Sequence, residues 1–202
     1  KFITQVLQLC GEAHLVDKIE QSIYNGLLGA INTEHSDALA GFTFDSYSPL
    51  LMATRARQLG GTQTMRGGTE VYGCCVAIGA AGTGLIPSVA VMASKNGLIV
   101  NLYERGKISA VTPNGEPITL HFDTDYPYDG HIKITLSLAK AESFTLSLRV
   151  PGWSEKTEIT LNDIAFTDPI IRGYNGFTRE WHDGDTISLK LDMRTRIVNA
   201  PD

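Results

Sequence analysis

His131-Ile132-Lys133-Ile134-Thr135-Leu136-Ser137-Leu138 alternates polar with apolar at every step. The same period of two returns in Phe144–Val150, Glu158–Leu161 and Thr186–Leu191. Successive side chains of a strand point to opposite faces, so this pattern suits half-buried strands and does not suit a helix. Leu98–Tyr103 and Pro117–Phe122 read as two further strands. Between these runs fall Asn114-Gly115, Asp129-Gly130, Pro151-Gly152, Asn175-Gly176 and Asp183-Gly184, dipeptides that favour turns. Short strands at regular spacing predict an antiparallel β-sandwich.

Ahead of Asn96-Gly97 the apolar period is that of a helix. Phe2, Ile3, Val6, Leu7 and Leu9 make one stripe, stopped by Gly11; Leu15, Val16, Ile19, Ile23, Leu27 and Ile31 make a second. The short Cys10-Gly11-Glu12 link predicts a helical hairpin. Two such helices cannot bury their faces alone. Residues 32–70 are irregular, with a short strand expected around Phe42–Leu50 and Gly60-Gly61 and Gly67-Gly68 bracketing a partly basic stretch. A connection this long inside a domain is usually functional. Residues 75–93 read as a glycine-weakened helix, broken near Pro87. The expected fold class is therefore α+β: a helical domain over residues 1–95 and a β-sandwich domain over 96–202.

Composition narrows the function classes. Hydrophobic residues make up 43% of the 202 and charged residues 19%, enough for an ordinary core. A net charge of -5 gives no pull toward nucleic acid or an anionic membrane, and no apolar run reaches the length of a membrane span. Three cysteines, an odd count, are not a disulfide scaffold and suggest a reducing, cytoplasmic compartment. The chain starts at Lys1 without a signal-peptide pattern and reads as a piece of something longer.

Cys74 and Cys75 are adjacent and precede a run of small residues, Val76 to Gly84. Neighbouring thiols bridge each other only with strain, whereas two thiolates side by side suit a soft cation such as zinc. The pair equally fits two small hydrophobes opening a buried helix, since free cysteine is among the most buried residue types. Both readings stay open on the pair alone.

A set of phrases adds to this: Tyr24-Asn25-Gly26, Gly73-Cys74-Cys75, Val100-Asn101-Leu102-Tyr103, Tyr126-Pro127-Tyr128-Asp129-Gly130, Leu148-Arg149-Val150-Pro151-Gly152-Trp153, Gly173-Tyr174 and Arg179-Glu180-Trp181-His182-Asp183-Gly184-Asp185. In this order they resemble glycoside hydrolase family 127, the β-L-arabinofuranosidases and their relatives, over nearly the whole chain. The resemblance implies the C-terminal part of an (α/α)6 helical barrel followed by the sandwich. It implies a retaining hydrolase with a zinc site of one glutamate and three cysteines. Cys74 would be nucleophile and zinc ligand and Cys75 a zinc ligand, with a thioglycosyl intermediate and a separate glutamate as acid/base. The family often follows its cysteine pair with two prolines and an asparagine; here Val76-Ala77-Ile78 follows, which leaves the sugar open. The remaining zinc ligands and the acid/base have no match here and are expected outside the chain.

Tyr47 is the candidate for stacking on substrate, ahead of Trp153, because it shares the long loop of the helical part. Cys10 reads as packing, and the five histidines, lacking ligand spacing, as surface or capping. Glu70 is a weak candidate acid, and Asp129-Gly130 a hairpin turn in preference to a calcium loop. The alternatives to a hydrolase segment are a non-catalytic carbohydrate-binding sandwich and a structural zinc module. Carbohydrate is the expected partner, nucleic acid and membrane are not, and a homodimer is left open. Without its acid/base the segment alone is expected to hydrolyse nothing.

Overall fold

The period-two stretches do form strands. The computed structural model describes residues 1–30, 62–64 and 71–197, with the backbone alone over 62–64 and 71–76. The fold is α+β, with more strand than helix. The chain divides into two compact units, Lys1–Gly11 with Leu15–Ser88, and Glu12–His14 with Val89–Asp202.

In the first unit, α1 (Phe2–Cys10) ends on Gly11, whose left-handed φ of 68° lets its N–H return to the Leu7 carbonyl. Helix α2 (Ala13–Gln21) buries Val16 and Ile19. The second apolar stripe was expected to run on as one helix. It changes hand-hold instead, to a π-helical turn at Ser22–Leu27 and a 3-10 turn at Leu28–Ala30. Strands β1 (Thr62–Thr64) and β2 (Val71–Gly73) pair antiparallel, and β2 runs directly into α3 (Cys74–Leu85). Pro87 opens a short α4 (Pro87–Ala90), consistent with a break at that proline.

The expected helix over 75–93 stops early. Val91–Ser94 is a strand, β3, antiparallel to β4 (Gly97–Val100), so Lys95-Asn96 is the tip of a hairpin. The second unit continues with β5 (Gly106–Val111), β6 (Pro117–Thr124), β7 (His131–Leu138), β8 (Glu142–Val150), β9 (Glu158–Leu161), β10 (Ile164–Ala165), β11 (Gly173–Trp181) and β12 (Thr186–Lys190). They form a six-stranded sheet in the order β10-β9-β12-β7-β6-β5 and a four-stranded sheet in the order β11-β8-β4-β3. Burial alternates along β6, β7 and β8 as far as Leu148, giving each sheet a buried face that carries Leu120, Ile134 and Leu136 on one and Val100, Leu146 and Leu148 on the other, all fully buried; at the end of β8 Arg149 is buried as well.

Two local expectations are corrected. The sandwich is not wholly antiparallel, because β4 lies parallel to β8. Parallel neighbours need a crossover, and here β5 to β7 of the other sheet supply it. Asn175-Gly176, read as a turn, lies inside β11. Gly176 stands opposite Ser147 in the ladder, and the Asn175 side chain closes the preceding loop, accepting from Ile171 N–H at 3.0 Å and donating to Ile171 O at 2.7 Å.

Candidate functional site

The cysteine pair sits at a strand-to-helix junction. Gly73 is the last residue of β2 and Cys74 the first of α3. The first turn of a helix carries unpaired N–H groups and the positive end of its dipole. Helix α3 can pack closely: a Cβ at Gly82 would lie 3.0 Å from Cδ1 of Leu27, in the π-helical turn that also holds Tyr24 and Asn25. Such turns recur at functional sites. The small-residue run therefore has a use, close approach of α3 to Ser22–Leu27 within one unit.

Tyr47 lies outside the described residues, as do Glu70 and the stretch around Phe42–Leu50. Cys10 is exposed and unbridged instead of packed. Among the described residues no group of three or more His, Cys, Asp or Glu could hold a metal ion.

The later phrases of the set, from Val100 onward, lie inside the second unit. Arg149 is fully buried and donates from Nε to Asn101 O at 2.7 Å. Tyr103 OH donates to Arg149 O at 2.5 Å, and Tyr174 OH to Asn101 Oδ1 at 2.6 Å. Asn101 Nδ2 donates to Val89 O at 2.9 Å, which ties the residue after β4 to α4. Tyr126 stacks on Trp153, centroids 6.5 Å apart at 7°, and meets Tyr103 edge-on at 6.4 Å. Trp153 is thus engaged in packing. Arg179 lies over the Trp181 ring at 5.1 Å, and Asp185 accepts from His182 N–H at 2.9 Å. Buried polar groups must be bonded, and the buried Asn101, Arg149 and Asp185 each are.

The same unit matches the family described as "Beta-L-arabinofuranosidase, GH127 middle domain" over residues 97–193. Over that stretch, just under half of the chain, the sequence matches glycoside hydrolase family 127. A non-reducing end β-L-arabinofuranosidase of Bifidobacterium longum subsp. longum is 31% identical over 87 residues, covering 41% of this chain and 13% of the relative. Among solved structures, a family 127 β-L-arabinofuranosidase from Geobacillus stearothermophilus T6 superposes with a TM-score of 0.72 at 24% identity, covering 99% of this chain and 31% of that one. A further family 127 β-arabinofuranosidase gives 0.66 at 19%, covering 94% and 30%. These likenesses show the fold. The chain spans about a third of the length of these solved structures and much less of the curated relative.

Proposed function

We propose that the chain is part of a retaining glycoside hydrolase acting on β-L-arabinofuranosides or a related sugar. The observation that carries this is the family 127 match over residues 97–193, joined in one chain to adjacent cysteines at the head of α3. In this reading the first unit is the end of an (α/α)6 barrel and the second the sandwich domain, whose strands begin at β3. Cys74 is the nucleophile. Its sulfur attacks the anomeric carbon as the bond to the leaving oxygen breaks, and a glutamate outside this chain gives that oxygen its proton. The same glutamate then takes a proton from the water that cleaves the carbon–sulfur bond, so configuration is retained. Cys74 and Cys75 would hold a zinc ion, with further ligands outside the chain; bound zinc keeps a thiol deprotonated at neutral pH. Tyr47 supplies a stacking face for the sugar. An exposed, unbridged Cys10 fits a reducing, cytoplasmic setting.

The test compares the 202-residue chain with the longer parent. The chain alone should show no turnover of an arabinofuranoside and bind zinc weakly, while the parent shows both activity and stoichiometric metal. Turnover by the chain alone, abolished by Cys74→Ser, would place the acid within it and overturn this division.

A further inference from the structure

Beside the β6–β7 connection lies a cleft of about 310 Å³. Its size is at the small end of ligand pockets. Two of its walls are already fixed. Arg105 pairs with Asp125 and donates from Nε to Thr124 O at 3.0 Å. Asp129 Oδ1 accepts from His131 N–H at 2.9 Å and contacts His131 Nδ1 at 2.6 Å. These bonds hold the Asp129 carboxyl below its ordinary pKa, so it stays an acceptor at neutral pH.

The floor is different. Asp123, Lys133 and Ser188 stand opposite one another on β6, β7 and β12, in one row across the outer face of the sheet. At about 4.8 Å per strand the row is about 10 Å long. All three line the cleft, and among the described residues none has a side-chain hydrogen bond or ion pair. Tyr128, on the same connection, is 95% exposed.

We propose that this cleft binds a short neutral oligosaccharide, as a site separate from the cysteines. Charge decides the class. Three carboxylates, Asp123, Asp125 and Asp129, repel an anion, while Arg105 and Lys133 repel a cation. A neutral polyol satisfies both sets, because each hydroxyl donates to a carboxylate and accepts from an ammonium or guanidinium. The fixed Arg105 and Asp129 need no rearrangement to receive it, which lowers the cost of binding. Tyr128 is outside the cleft lining but exposed on the adjoining connection, where its ring is free to take the C–H side of a sugar that extends beyond the cleft. Only the identity of the sugar, an arabinoside, rests on the function proposed above.

The experiment is an NMR titration of the full 202-residue chain with arabinose and arabinotriose, and separately with inorganic phosphate. Saturable amide shifts should map to Asp123, Lys133, Ser188 and Tyr128. The Asp123→Ala/Lys133→Ala double variant should weaken arabinotriose binding by about tenfold or more, from the loss of two hydrogen-bonding partners. Tyr128→Ala, an exposed change that leaves the thermal midpoint in place, should weaken it several-fold. Cys74→Ser should leave it unchanged, so the cleft can stand even if the nucleophile assignment fails. Shifts confined to the cysteine end, tighter binding of phosphate at these residues, or no shifts up to the solubility of the sugar would each overturn the proposal.

Discussion

At Gly97 a methyl group would stand 1.7 Å from the carbonyl oxygen of Thr145. The neighbouring Asn96 O accepts from Thr145 N–H at 2.9 Å, so the β3–β4 hairpin is pressed against β8. Gly97→Ala should therefore cost about 3 kcal/mol or more, at the upper end of overpacking effects. Urea denaturation checks this, and an unchanged midpoint contradicts it. Asp192 makes a second residue-scale prediction. The Arg194 guanidinium bonded to its carboxylate, at 2.8 and 2.7 Å, holds its pKa far below the ordinary range, with Arg196 adding to the effect. A depressed folded pKa contributes stability above the unfolded value of about 3.9 and loses it as the pH falls toward the folded one. The advantage of the native chain over Asp192→Asn should be full above about pH 5 and shrink steadily below about pH 4. A difference that is flat across a pH series of unfolding curves would contradict the pairing.

At the scale of elements, β8 is the strand on which the four-stranded sheet depends, since it pairs with both β4 and β11. Leu146 at its centre is fully buried. Leu146→Ala should cost about 2–5 kcal/mol, read as a drop in unfolding midpoint. Elements like β7 and β8 were legible because alternation over their full length has one solution. Strand β3 was not, because Val91-Met92-Ala93-Ser94 carries no alternation and follows a run that suits a helix; its strand character comes from pairing with β4. The π-helical turn at Ser22–Leu27 was hidden for a similar reason: its apolar residues continue the stripe of α2, and the extra residue per turn leaves no mark in composition. Asn175-Gly176 looked like a turn, yet Asn175 spends its side chain on Ile171 and Gly176 is tolerated opposite Ser147. Of the candidate site, a helix opening at the cysteines was one of the two readings the pair left open, and the helix does begin at Cys74. The cleft floor was not, because Asp123, Lys133 and Ser188 meet only through strand register.

For the whole molecule, the second unit holds the family 127 match and the buried Arg149 cluster, while the cysteines belong to the first. The Asn101–Arg149–Tyr174 bonds should matter to stability and not to chemistry. Tyr174→Phe strips Asn101 Oδ1 of a donor at 2.6 Å and should cost about 1–3 kcal/mol in unfolding, with the parent's KM unchanged. The division of labour between the cysteines is the central claim, and kinetics of Cys74→Ser and Cys75→Ser in the full parent, run with metal analysis at several zinc concentrations, test it most directly. Cys74→Ser should lower kcat by about four orders of magnitude or more with the fold intact. Cys75→Ser should lose zinc first and recover part of its activity when zinc is added. Near-normal turnover by Cys74→Ser would contradict the account and leave the pair as an ordinary buried duo.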